Sequence, residues 1–201
     1  MYDVIIRNGL IVDGTGKAAF PGDLAIKDGK IAAVGSVIGE AKEELDAAGL
    51  VVSPGFIDFH SHADMSILYD PFCRSRIYTG VTTDVIGNCG IGVAPISDDP
   101  EKAELLRAYL STRIVGTIPA PLEFHWKSFG EYLDYIDAHA PAINIAPLLR
   151  KGAIRIQEMG FSKEDATPEQ VVHMQQEVDK AMQEGALGLS SGLMYLPGAY
   201  T

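Results

Sequence analysis

Cysteine is scarce. Only Cys73 and Cys89 occur in 201 residues, too few for a disulfide framework. No stretch approaches the roughly 18 consecutive apolar residues of a membrane helix. The opening Met1-Tyr2-Asp3-Val4 lacks the basic and apolar regions of a signal peptide. Basic residues are also in deficit: 16 Lys+Arg stand against 27 Asp+Glu, a formal net charge of −11. Nucleic acid and anionic membrane surfaces, which reward a basic patch, are excluded as preferred partners. A cytoplasmic protein with reduced thiols is expected. What is present describes an ordinary folded chain. Hydrophobic residues make up 47% and charged residues 21%, which excludes a disordered chain, a coiled coil and a collagen-like repeat.

The first fifty residues read as β-structure. Val4-Ile5-Ile6 and Leu10-Ile11-Val12 are β-branched runs separated by Asn8-Gly9, a hairpin-turn signal. Leu24–Lys27, Asp28-Gly29 and Lys30–Val34 read as a second hairpin. From Val51 the texture changes to strands alternating with helices. Strands are expected near residues 56–62, 82–87, 142–148 and 186–190. Phe129, Tyr132, Leu133 and Ile136 fall on one helix face. Thr167-Pro168-Glu169-Gln170 is a capping box with proline at the first helical position. Val171, Met174, Val178 and Met182 form the apolar stripe of the helix that follows. Such alternation implies parallel strands with right-handed crossovers. Its closed form is a barrel of about eight strand–helix units, of which about four fit here. The expected fold is therefore α/β. A small β-sandwich-like domain over residues 1–54 precedes an incomplete (β/α) barrel of the TIM type over residues 55–201. The segment Leu196–Thr201 reads as a loop after the fourth strand.

Asp58, His60 and His62 alternate along the first barrel strand, which points all three to one face. Two imidazoles so placed can share a divalent metal. Cys89 lies in Gly87-Asn88-Cys89-Gly90, directly after the second strand, where parallel barrels carry functional loops. Its thiolate is a good zinc ligand, and flanking glycines permit close backbone approach. Asp64 either orients a histidine from behind or caps the next helix. Tyr195, after the fourth strand, is a candidate to face substrate; the alternative is simple packing. Cys73 reads as packing, His173 as solvated, His139 as a helix C-terminal residue, and His125 as a loop residue without an identifiable partner.

Several segments together resemble the metal-dependent amidohydrolase superfamily. Val51–His62 is similar to its entry strand and metal motif. Gly80–Thr83, Gly87–Pro95 and Gly188–Tyr195 narrow the resemblance to the N-acyl-D-amino-acid deacylases (D-aminoacylases). The resemblance implies zinc held by His60 and His62 with Cys89 as the bridging ligand, and hydrolysis of the amide of a small N-acyl-D-amino acid. The family's two later histidines and its late aspartate, a ligand and general base, have no counterpart up to Thr201. Leu149-Arg150-Lys151-Gly152 departs from the family's Gly-His-Gly. The 201-residue chain is accordingly expected not to turn over substrate at an enzymatic rate, and to self-associate through open sheet edges. Two alternatives stand beside this reading: a cyclic-amide hydrolase of the hydantoinase or dihydroorotase type, and a non-catalytic truncated fragment.

Overall fold

The structure, a computed structural model, describes residues 1–113 and 123–200. Thr201, the end of the closing loop read from the sequence, lies outside the described residues. Contacts divide the chain into two compact units, Met1–Gly55 and Phe56–Thr201.

The first unit is one mixed sheet. Strand β1 (Tyr2–Ile11) pairs antiparallel with β2 (Phe20–Lys27), and β2 pairs antiparallel with β3 (Lys30–Gly35). On its other side β1 runs parallel to β4 (Ala41–Asp46) and β5 (Val51–Val52). Asp28 and Gly29, both at positive φ, close the β2–β3 hairpin in the geometry that suits a right-twisted pair. Asn8-Gly9 is not a turn. It is a bulge within a single long strand, where the register shifts between Ile6 and Gly9 and Asn8 takes φ +61°. Side-chain partners stabilise the bulge. The Asn8 amide nitrogen donates to Asp23 and its side chain to Asp46, both at 3.0 Å, while Arg7 pairs with Asp23 and Glu44. Ile5, Ala25 and Val37 form the small core of this unit.

The second unit begins with a parallel sheet in the order β6 (Phe56–Asp58), β7 (Val81–Ile86), β8 (Asn144–Pro147). Short helices α1 (Ser66–Tyr69) and α2 (Arg74–Ile77) lie between β6 and β7. Longer α3 (Pro100–Arg113) and α4 (Phe129–Ala138) lie between β7 and β8. Beyond β8, strand β9 (Leu149–Arg150) leads directly into α5 (Lys151–Met159). Helix α6 (Pro168–Gln183) and β10 (Leu189–Ser190) follow, and β10 pairs parallel with β9. This is a mixed α/β fold of parallel strands and helices. The described residues of this unit form two short parallel sheets; they do not close a barrel.

The expected strands are shortened. The 56–62 run stops at Asp58 because the Asp58 carboxylate accepts the His60 backbone N–H at 3.0 Å, turning the chain out of the ladder. The 142–148 run splits into β8 and the separately paired β9, and the 186–190 run keeps only Leu189–Ser190. Helix α4 is sited as its pattern predicts, with Phe129, Tyr132 and Ile136 buried and a capping box from Ser128 to Glu131. Helix α6 has its Thr167–Gln170 capping box, but its apolar stripe is only half covered. Ala181 is buried and Met174 and Val178 pack on the core, while Val171 and Met182 remain exposed. Gly198–Tyr200 is a short 3₁₀ turn rather than an open loop. The core joins Ile86, Leu106, Leu110, Trp126, Phe129 and Tyr132.

Candidate metal centre

Two successive parallel strands place the donors. His60 and His62 follow the C-terminal end of β6, and Cys89 sits in a tight turn, Asn88–Gly90, after β7. Strands that run parallel end on the same edge, so the two segments meet. The donor atoms of His60, His62 and Cys89 all lie within 4.8 Å of one another. His60 Nε2 is 3.2 Å from Cys89 Sγ, and the imidazole rings meet edge-on at 5.5 Å. Among the described residues no carboxylate joins them.

The Cys89 turn needs unusual backbone. Cys89 itself has φ +59°, between Gly87 at +88° and Gly90 at +68°, so three of four consecutive residues are left-handed. Polar contacts compensate for that conformation. The Asn88 side chain donates to the carbonyls of Val85 at 2.8 Å and Ser61 at 3.3 Å. Ser190, at the end of β10, accepts from the Gly90 N–H at 3.1 Å and donates to the Gly87 carbonyl. The loop after β10 then crosses so closely that a Cβ on Gly192 would fall 2.1 Å from the Cys89 carbonyl oxygen.

Behind the histidines lies a buried polar network. Asp84, fully buried on β7, accepts from Ser61 Oγ at 3.0 Å and from Arg76 Nε at 3.0 Å. Arg76 also donates to Ser61 Oγ at 2.8 Å and lies 3.3 Å from the Asp58 carboxylate. Burial pushes the Asp84 carboxyl above the ordinary carboxylate range, against the pull of Ser61 and Arg76. The Asp58 side chain is therefore engaged with Arg76 and the His60 backbone instead of pointing with the imidazoles. The His62 imidazole is lowered, first by burial and then by the neighbouring His60. Both causes favour the neutral ring, the form that can bind a metal.

Two other expectations are corrected. Asp64 neither orients a histidine nor caps a helix: its carboxylate pairs with buried Arg150, and α1 has no side-chain cap. Arg150-Lys151 forms the junction of β9 and α5. His125 has partners, stacking on Tyr135 at 5.3 Å and lying 3.7 Å from Glu123. Cys73 is buried in the core. His173 is exposed, 3.4 Å from Glu158, and His139 contacts the Tyr135 carbonyl at 2.7 Å at the end of α4. Tyr195 is half-buried and lines a narrow recess of about 10 Å³ with Cys89, Gly90, Lys151, Gly152 and Gly192. Sequence reasoning passed over Arg76, Asn88 and Ser190. Only Asp84 left a signal, as the one charged residue in the parallel strand Val81–Ile86.

The donor set fits zinc. Two neutral imidazoles and one thiolate are its usual ligands, and three protein ligands leave a position open. Bond lengths of 2.0–2.3 Å place tetrahedral donors about 3.5 Å apart, so a spread of 4.8 Å is closed by modest side-chain rotation of the two exposed histidines.

Residues 43–199 match the profile described as "Amidohydrolase family". D-aminoacylase of Alcaligenes xylosoxydans is 32% identical over 98% of this chain and 39% of its own length. N-acyl-D-aspartate deacylase of the same organism is 34% identical over 98% of this chain and 38% of its own. A crystal structure of D-aminoacylase superposes with a TM-score of 0.85 at 34% identity, covering 100% of this chain and 40% of that one. N-acyl-D-glutamate deacylase from Bordetella bronchiseptica, solved with zinc and a phosphonate mimic of the tetrahedral intermediate, superposes with a TM-score of 0.83 at 34% identity, covering 100% of this chain and 40% of that one. The chain thus spans about two fifths of the length of these relatives. With a profile match across most of its residues and this fold, the chain belongs to the amidohydrolase family.

Proposed function

We propose that this chain is the metal-holding portion of a zinc-dependent amide hydrolase acting on N-acyl-D-amino acids, with His60, His62 and Cys89 as its zinc ligands. The observation that carries the reading is the convergence of those three donors within 4.8 Å at one edge of a parallel sheet. In this reading, residues 1–54 form the small β-domain and residues 55–201 the first half of a (β/α) barrel. When bound, zinc supplies Lewis acidity for polarising a carbonyl and activating water.

The chain's own residues have separate tasks. Asp58, Ser61, Arg76 and Asp84 hold the segment bearing the histidines. Asn88 and Ser190 hold the Cys89 turn. Tyr195, beside the Cys89 recess, contacts substrate. Cys89 within the donor set favours the deacylase reading over the cyclic-amide one. No carboxylate stands with the donors among the described residues, so those residues offer no carboxylate beside the donors as general base, a contribution of typically 10²–10⁴-fold.

The test pairs zinc analysis of the purified 201-residue protein with N-acetyl-D-amino-acid hydrolysis. Stoichiometric zinc that is lost in Cys89→Ala, without turnover at an enzymatic rate, is expected. Wild-type zinc content in Cys89→Ala would reject the ligand assignment. Zinc-dependent turnover by these residues alone would reject the division of labour.

A further inference from the structure

Among the described residues, Arg150 is the largest of the fully buried side chains, at 0% exposure. Its guanidinium pairs with Asp64, itself 5% exposed, and lies over the rings of Phe129 and Tyr132, 5.6 and 5.4 Å from their centroids. Its Nε and Nη1 have no hydrogen-bond partner among the described residues. Burial lowers the group to about 9, which leaves it charged at neutral pH. A packed apolar side chain would fill the same volume without the desolvation cost, so stability alone is a poor account of this residue.

Its position gives a better one. A Cβ on Gly87 would fall 2.3 Å from Arg150 Nε, and a Cβ on Gly92 would fall 2.3 Å from Arg150 Cδ. The side chain therefore lies against the backbone on both sides of Cys89. Its partner Asp64 is two residues beyond His62, and the Asp64 carbonyl is held by the Tyr132 hydroxyl at 2.9 Å. One buried side chain thus touches both segments that carry the donors.

We propose that Arg150 is a positioning residue for the donor triad. It ties the His62 segment, through Asp64, to the Cys89 turn, through Gly87 and Gly92, and so fixes the donor separations before a metal binds. The inference rests on the metal-site reading above. Supporting residues behind metal ligands typically change metal affinity 10–100-fold, because a donor set held in place loses less on binding.

The test uses Co²⁺ as the probe and the thiolate-to-cobalt charge-transfer absorption of the 201-residue chain as the readout. Arg150→Met is compared with Arg150→Lys and with the double variant Arg150→Met/Asp64→Asn, which removes both buried charges together and avoids stranding one. Leu110→Ala, in the same core, controls for general destabilisation. Each variant that folds by circular dichroism should bind Co²⁺ about 10–100-fold more weakly than wild type, while Leu110→Ala keeps wild-type affinity. Wild-type affinity in the folded double variant or in Arg150→Lys would overturn the proposal, as would an equal loss in Leu110→Ala. A wild-type chain with no cobalt–thiolate band would reject the metal-site reading instead. Positioning is then read from the alkylation rate of Cys89 in metal-free protein. That rate should rise in the Arg150 variants, and an unchanged rate would overturn the proposal.

Discussion

Gly87→Ala isolates the tight packing beneath the Cys89 turn. Gly87 has φ +88°, and an added Cβ would lie 2.4 Å from the Leu148 carbonyl oxygen and 2.3 Å from Arg150 Nε. Gly160 provides the comparison within the same unit. It also has positive φ, at +61°, but its added Cβ meets only Leu105 Cδ1 at 3.4 Å, an ordinary contact. Both substitutions carry a positive-φ cost of about 1–3 kcal/mol, Gly87 in the left-handed region at ψ 24° and Gly160 outside it at ψ −134°. Gly87→Ala alone adds overpacking against backbone and a buried guanidinium, about 1–3 kcal/mol more. At about 2–4 °C per kcal/mol for a chain of this size, Gly87→Ala should melt about 2–12 °C below Gly160→Ala. Calorimetry of the two variants side by side measures the difference. Equal melting temperatures would refute the close packing of Arg150 against the turn.

Other outcomes follow from the same contacts. Asp84→Ala removes one of the two carboxylates facing Arg76 and breaks the Ser61 link, while Asp58 still pairs with Arg76; a loss of about 1–3 kcal/mol, read by urea unfolding, is expected. In the first unit, hydrogen bonds and Arg7 or Lys42 hold the carboxyls of Asp3, Asp23, Glu44 and Asp46 below their ordinary values. Their stabilisation is complete above the unfolded carboxylate range and is lost as pH falls from there through the lowered folded values, so melting temperature should drop on acidification below about pH 4. Arg7→Met should flatten that dependence. Asp84 works in the opposite sense: its raised carboxyl favours the folded state less as pH rises through its titration. Thr167→Ala removes the α6 cap and should cost about 1 kcal/mol, seen as a small fall in melting temperature.

The sequence showed the donors more readily than their supports. His60, His62 and Cys89 stand out because histidine spacing and glycine-flanked cysteine are local signals, and parallel order brings strand ends together. Asp64 was misread, and Arg150 given no role, because their pairing spans residues distant in the chain. No local pattern distinguishes a helix cap from half of a buried ion pair. Asn8-Gly9 was misread because turn chemistry and bulge chemistry use the same left-handed residue, and only the contacts to Asp23 and Asp46 decide between them. Strand β4, Ala41–Asp46, escaped notice because Lys42, Glu43 and Glu44 give no apolar alternation; its parallel pairing with β1 supplies the order instead. Helix α5 was hidden by the unusual Arg150-Lys151 junction.

The central claim is that His60, His62 and Cys89 share one metal, and X-ray absorption at the zinc edge tests it most directly. Zinc-loaded protein should show one sulfur scatterer at about 2.3 Å together with histidine nitrogens at about 2.0–2.1 Å. The sulfur shell should vanish in Cys89→Ala. A zinc environment made only of oxygen and nitrogen, or a sulfur shell that survives Cys89→Ala, would contradict the account.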